Sequence, residues 1–233
     1  ALGNQPWLYR GLRSDMVATI NSRGADMATT AVGKLVRFPL SYVPRDAVVP
    51  ILFGPNRGHR WVVGSSAHGC WLGIYERRTQ AAIVANLRAG DVAYDIGANA
   101  GFFTLLMSRI VGNSGQVHAF EPLPENVADL KHHIRLNRLQ NVVVHPVALS
   151  DHTGTESFDR GGHKAMGRLS GHGDITVECA ALDDLGLPPP DFIKMDIEGE
   201  ESVALGGMTR TLKAGRPYLL IEGHARLRPQ VKC

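Results

Sequence analysis

The sequence predicts an α/β protein built on a mostly parallel, doubly wound sheet, with an N-terminal accessory segment and a β-hairpin ahead of it. Three observations carry that prediction. From Asp91 onward, short apolar runs alternate with amphipathic helical patterns at the spacing of βα units. Asp95, Glu121, Asp196 and Glu222 each fall at the carboxyl end of such a run. Between the first run and its helix lies the turn Asp95-Ile96-Gly97-Ala98-Asn99-Ala100-Gly101, a strand-to-helix passage of the kind that open parallel sheets use beside their ligands.

At 233 residues, with 44% hydrophobic and 20% charged content, the chain is long enough for one main core and an appendage. Residues 1–64 read as the accessory segment and residues 65–233 as the main domain. Within the former, 14–20 and 27–35 carry short helical patterns, and Pro39, Pro44 and Pro50 interrupt them. Two apolar runs between 51 and 64 flank Gly54-Pro55-Asn56-Arg57-Gly58 and predict the hairpin. A helix follows over 76–87, ended by Gly90. Strands are predicted at 92–96, 116–120, 142–147, 192–197 and 218–222. Helices are predicted at 101–111, 124–137 and 201–213, and right-handed crossovers place them on both faces of the sheet. The segments 155–158 and 175–180 read as extra strands joined by a Gly-rich loop.

Composition narrows the range of partners. The net charge of +3 is spread along the chain rather than gathered into a basic block, so no nucleic-acid partner is expected. No apolar stretch approaches the roughly 18 residues that span a bilayer. Cys70, Cys179 and Cys233 are an odd number without C-x-x-C spacing, so neither a disulfide framework nor a zinc site is expected. Reduced thiols, and residues 1–10 without a basic-then-apolar signal pattern, point to a cytoplasmic protein.

The strand ends that carry the four acids share one sheet edge, outside which ligands bind. Gly97 and Gly101 let the backbone turn and approach a ligand, and the helix start that follows favours negative charge. Asn99 occupies the third position of the pyrophosphate-binding G-x-G-x-x-G pattern and breaks it. A nicotinamide-dependent oxidoreductase, which shares the sheet and the acid after its second strand, should keep that glycine. The turn offers instead Asp95 as acceptor for an ammonium group, Asn99 as donor to a carboxylate, and the Thr104 hydroxyl near the helix start. Glu121 can accept both hydroxyl protons of a ribose. Ala148 and Asp151 lie where an adenine would rest, one apolar and one polar. S-adenosyl-L-methionine has this set of groups and no pyrophosphate.

The run Tyr94-Asp95-Ile96-Gly97-Ala98-Asn99-Ala100-Gly101-Phe102-Phe103-Thr104 resembles the first motif of class I S-adenosylmethionine-dependent methyltransferases, and Ala119-Phe120-Glu121-Pro122 their second. Within that class, three further runs are similar to the FkbM group. They are Leu72-Gly73-Ile74-Tyr75-Glu76, Leu182-Asp183-Asp184-Leu185 and Ile193-Lys194-Met195-Asp196-Ile197-Glu198-Gly199-Glu200-Glu201. The match runs in order over 69–224, and residues 1–64 take no part in it. The resemblance implies a Rossmann-like fold, S-adenosyl-L-methionine as cofactor, and methylation of a hydroxyl on a sugar, glycan or secondary metabolite. Sheets of that class finish with a hairpin of two further strands, whereas only residues 225–233 follow the fifth strand here. Either the chain is truncated or another element covers that edge, and an uncovered edge would invite pairing with a second copy of the chain, as a homo-oligomer.

Methyl transfer from a sulfonium needs an acceptor held in line and a base for its proton. Glu198 is expected as that base and Asp196 as the group orienting the methionine end or the acceptor. Glu222 and His224 stand at the end of the fifth strand as further candidates. Tyr75 is expected against the methionine end, in a segment that could act as a lid. Lys194 sits in mid-strand, where packing or an ion pair is its expected role. The acids invite a Mg²⁺ reading, but the ligand set is thin and no metal is expected. A cofactor-binding relative without catalysis would show the same motifs.

Overall fold

A computed structural model describes residues 17–20, 42–159, 168–169 and 173–222. In chain order the strands are β1 (Val17–Ile20), β2 (Val48–Pro50), β3 (Arg60–Val62), β4 (Val92–Ile96), β5 (Gln116–Phe120), β6 (Val142–His145), β7 (Ala148–Ser150), β8 (Gly154–Asp159), β9 (Arg168–Leu169), β10 (Ile175–Ala181), β11 (Phe192–Met195) and β12 (Tyr218–Glu222). The helices are α1 (His68–Leu72), α2 (Arg77–Asn86), α3 (Phe102–Val111), α4 (Pro124–Leu136), α5 (Glu201–Gly206) and α6 (Thr209–Gly215).

The main sheet has the order β1-β12-β11-β4-β5-β6, and every neighbouring pair is parallel. The chain winds outward from β4 through β5 to β6, then returns to β11 on the other side, so the winding reverses between β4 and β11. Successive side chains of a strand face opposite sides, and here both sides are buried. Ala93, Phe192 and Leu220 pack with α3 and the hairpin, while Tyr94, Ile193, Leu219 and Ile221 pack with α5 and α6. That two-sided burial is what a doubly wound sheet requires, and it bears out the predicted fold class.

Residues 17–20, predicted as part of a helix, form strand β1. Val17 pairs with Leu219 and Ile20 with Glu222, in parallel register. Val17, Thr19 and Ile20 are β-branched, and the unpaired backbone of β12 offers them a ladder, so the open edge outweighs the local helical pattern. The edge of β12 is therefore covered from within the chain. The second predicted helix of that region, 27–35, lies outside the described residues.

The hairpin is present with its strands set further out than predicted: β2 pairs antiparallel with β3, Val49 opposite Trp61. Its loop is closed by the Gly58 N–H donating to the Ile51 carbonyl at 2.9 Å. Ile51, Trp61 and Val63 belong to the same buried cluster as Phe102 and Leu105. The described part of 42–64, expected as an appendage, thus shares the main core.

The third strand is predicted as one run over 142–147, but its ladder ends before Pro146, which has no N–H to continue it, and the next strand, β7, lies beyond the predicted bounds. β6 stays in the main sheet, and β7 enters a small sheet of order β7-β10-β8-β9 that contains both predicted extra strands. The predicted helix 201–213 likewise divides into α5 and α6. A side chain at Gly207 would stand 2.0 Å from the Ser150 carbonyl oxygen, so the break is where the chain passes closest to β7.

Candidate active site

A cavity of about 320 Å³ opens at the carboxyl edge of the main sheet, beside the reversal between β4 and β11. The turn after β4 contributes Gly97, Ala98, Asn99 and Ala100, and the end of β5 contributes Glu121 and Leu123. Val147, Ala148 and Leu149 form an apolar wall, the turn after β11 brings Asp196 and Glu198, and β12 ends in Glu222. Tyr75 and Glu76 approach from the segment between α1 and α2.

Glu121 is 5% exposed, and its position is fixed by its own turn. Oε2 accepts the Asn99 N–H at 2.8 Å, and Oε1 accepts the Leu123 N–H at 3.0 Å and the Asn126 amide at 3.2 Å. Burial pushes its carboxyl up from the usual range, against these hydrogen bonds and the Lys194 charge. An ionised carboxylate has about four acceptor sites, so three donors leave room for a ligand hydroxyl.

Asp95 stands behind the cavity wall, fully buried, where it accepts the Thr104 hydroxyl at 2.6 Å. Lys194 lies opposite Asp95 in the β4–β11 register, with Nζ 3.4 Å from Asp95 Oδ1 and 4.0 Å from Asp196 Oδ2. The same ammonium donates to the Gly97 carbonyl at 3.0 Å and lies 5.3 Å from the centre of the Phe103 ring. Burial by itself would pull its pKa down, but the carboxylates of Asp95, Asp196, Glu76 and Glu222 outweigh it and raise it. The buried ion pair expected of Lys194 is therefore present. Asp95, expected against a ligand, is not among the residues that line the cavity and instead holds Thr104 and Lys194.

Glu76, Asp196 and Glu222 each present one carboxylate oxygen, and these oxygens lie within 4.8 Å of one another. Glu76 Oε2 is buried and has no hydrogen-bond partner. Such a set can meet the three N–H bonds of an ammonium group or, by its oxygen chemistry, a hard divalent cation.

The backbone around the cavity is strained. Five non-glycine residues among the described ones have positive φ, and three of them, Glu76, Asn99 and Glu198, line the cavity. Asn is the side chain that tolerates this region best, so Asn99, at φ 50°, adopts the left-handed turn that the missing glycine would have adopted. Gly97 has a different constraint, because a Cβ there would stand 1.9 Å from the Asp196 carbonyl oxygen. The turns after β4 and β11 are thereby pressed together.

Of the site residues expected from sequence, Tyr75, Gly97, Asn99, Glu121, Ala148, Asp196, Glu198 and Glu222 line the cavity. Asp95, Gly101 and Thr104 support it without lining it, and Asp151 turns to the surface, 3.0 Å from His152 Nδ1. His224 lies outside the described residues. The sequence reading did not assign Trp61, Asn126 or Phe158, which also line the wall. Asn126 could have been found from the first turn of α4, which begins just after Glu121. Trp61 reaches the cavity through the hairpin, where it stacks on His133 with ring centroids 3.9 Å apart, and nothing local signals that.

A family model described as the methyltransferase FkbM domain matches residues 95–231. The hexuronic acid methyltransferase AglP of Haloferax volcanii is 30% identical over 148 residues, which cover 60% of this chain and 59% of that protein. The chain thus spans less than two thirds of that relative. A solved methyltransferase FkbM from Methylobacillus flagellatus is 24% identical, with a TM-score of 0.45 over 56% of this chain and 32% of that one. A solved SAM-dependent methyltransferase from Aquifex aeolicus is 20% identical, with a TM-score of 0.42 over 71% and 74% of the two chains. The matched residues begin at Asp95 and carry the turns after β4, β5 and β11 that build the cavity, and on that match the chain belongs to the methyltransferase FkbM domain family.

Proposed function

We propose that this chain is an S-adenosyl-L-methionine-dependent O-methyltransferase acting on a hydroxyl of a small molecule, with a sugar or glycan as the favoured acceptor class. The observation that carries the cofactor is that one cavity is lined both by Glu121, paired with the Gly97–Gly101 turn, and by the Glu76, Asp196 and Glu222 oxygens. Glu121 accepts the ribose hydroxyls, Ala148 and Leu149 offer the adenine an apolar wall, and the start of α3 favours the carboxylate. The Glu76, Asp196 and Glu222 group takes the ammonium, which gives the buried Glu76 Oε2 a donor.

When bound, the cofactor supplies an electrophilic methyl group on a sulfonium. The chain's part is to orient the acceptor, exclude water and take the hydroxyl proton. Glu198 is the assigned base, held beside the cavity by its own left-handed backbone and the following Gly199. Asp196 orients the ligand, and Trp61 brings the hairpin into the pocket wall. The sugar acceptor is supported by the relative named a hexuronic acid methyltransferase. No helix among the described residues is long and apolar enough to cross a membrane, and the free thiols of Cys70 and Cys179 suit a cytoplasmic setting.

Calorimetric titration with S-adenosylmethionine, S-adenosylhomocysteine and NAD tests the cofactor. Heat is expected with the two adenosyl ligands, and its absence with both would sink the proposal. A panel of uronic, neutral and amino sugars with methyl-labelled cofactor then tests the acceptor. Glu198→Gln is expected to keep cofactor affinity and to slow turnover roughly 100- to 10,000-fold. Unchanged turnover would remove Glu198 as the base.

A further inference from the structure

A second group of reactive side chains stands on the small sheet, outside the cavity. In the antiparallel pairing of β8 with β10, Glu156 lies opposite Val177 and Gly154 opposite Cys179, and the turn between β7 and β8 brings His152 to the same place. His152 Nε2 is 3.2 Å from Glu156 Oε1 and 3.6 Å from Cys179 Sγ. Metal bonds of about 2.0 to 2.3 Å in a tetrahedron put neighbouring donors about 3.3 to 3.8 Å apart, so these two separations are close to those of a zinc coordination shell.

The far side of the imidazole is also arranged for this chemistry. His152 Nδ1 lies 3.0 Å from Asp151 Oδ1, and with a metal ion on Nε2 a carboxylate there would hold the remaining ring proton on Nδ1. Carboxylate, histidine and metal in line is a recurrent arrangement at zinc sites. Thiolate, imidazole and carboxylate together favour Zn²⁺ over Mg²⁺ or Ca²⁺, which take oxygen donors.

We propose that His152, Glu156 and Cys179 bind Zn²⁺, with Asp151 orienting His152 and solvent in the fourth position. Binding forms a zinc–sulfur bond as the Cys179 thiol releases its proton to solvent. The half-exposed His152 ring gives the ion its entry. Cys179 packs with Leu123, Ala148 and Phe158, all of which line the main cavity, so the ion would brace the sheet that forms one cavity wall. Sequence spacing hides this set, because 152, 156 and 179 form no metal-binding motif and only the β8–β10 pairing unites them.

Titration of the chelator-stripped full chain with Co²⁺ alone, followed by optical absorption, tests the site. One equivalent is expected, with a thiolate-to-cobalt charge-transfer band and the intense visible bands of tetrahedral cobalt, both removed by one equivalent of Zn²⁺. His152→Ala, a change on an exposed ring, should abolish the thiolate band while the circular dichroism and melting of the metal-free protein stay unchanged. Asp151→Asn should weaken binding about 10- to 100-fold. The Cys70→Ala/Cys233→Ala double variant should keep the band. A wild-type chain without a thiolate band, a band that survives His152→Ala, or one lost only with Cys70 and Cys233 would each overturn the proposal.

Discussion

Glu121 does two jobs with one carboxylate, since it anchors the Asn99 and Leu123 amides and faces the cavity. Glu121→Gln keeps an acceptor but turns an NH₂ group toward an amide donor and removes the charge that ribose hydroxyls would meet. Adenosyl-ligand affinity should fall by about 1.5 to 3 kcal/mol, the worth of a hydrogen bond to a charged group. Calorimetry checks this, and unaltered affinity would take Glu121 out of the binding site. Lys194 poses a different question, because it and Asp95 are both almost fully buried. Removing one member of such a pair costs about 3 to 5 kcal/mol, whereas removing both can be nearly neutral. Lys194→Met should therefore lower stability by that amount in urea denaturation, and Asp95→Asn added to it should restore much of the loss. A double variant that is merely the sum of two losses would show that the pair is not coupled. The ion pair was readable in the sequence from a lysine in an otherwise apolar strand. The supporting position of Asp95 was not, because a strand-end acid reads the same whether it faces a ligand or a neighbouring strand.

At the scale of elements, local pattern was most reliable where burial on both faces enforced it. β4, β5 and β12 fall at their predicted bounds, since each is an apolar run closed by an acid or a turn. Pattern failed where a distant partner decided the outcome. Val17-Ala18-Thr19-Ile20 has too few residues to choose between helix and strand by itself, and the vacant ladder of β12 makes the choice. Trp61 likewise reaches the cavity only because the hairpin packs on α3 and α4. The strand assignment carries a testable consequence. A chain lacking residues 1–20 would expose the backbone N–H and C=O groups along one side of β12, and such edges pair with other chains. Sedimentation velocity should show concentration-dependent self-association of the shortened chain beyond that of the full one. Identical sedimentation of the two would mean that β1 is not what covers the edge.

Across the whole molecule, three buried imidazoles must stay neutral, and one of them joins the hairpin to the turn after β4. His133 shows why most directly: its Nε2 accepts the Val62 N–H at 3.0 Å and its Nδ1 donates to the Ala100 carbonyl at 2.8 Å. A second proton on that ring would point at an amide hydrogen and break the link between hairpin and cofactor turn. Burial lowers the pKa of His133 to about 4, and it does the same for His59 and His118. Their unfolded value is near 6.5, so between about pH 6.5 and 4 the unfolded chain binds more protons than the folded one. Stability from these groups is present above pH 6.5 and is lost as pH falls, at about 1.4 kcal/mol per pH unit for each fully neutral imidazole. Glu121 and Asp95 act in the opposite sense, because burial raises both carboxyls and favours their protonated folded forms, but they are two groups against four imidazoles, since burial lowers His145 as well. The melting temperature should accordingly decline through this window. His133→Leu should be less stable at pH 7 by about 1 to 3 kcal/mol, since it leaves an amide and a carbonyl unpaired, yet its melting temperature should depend less steeply on pH. A wild-type melting temperature that stays level from pH 7 to 5 would show that these rings take up protons without unfolding the core, and that the hairpin does not depend on His133 remaining neutral.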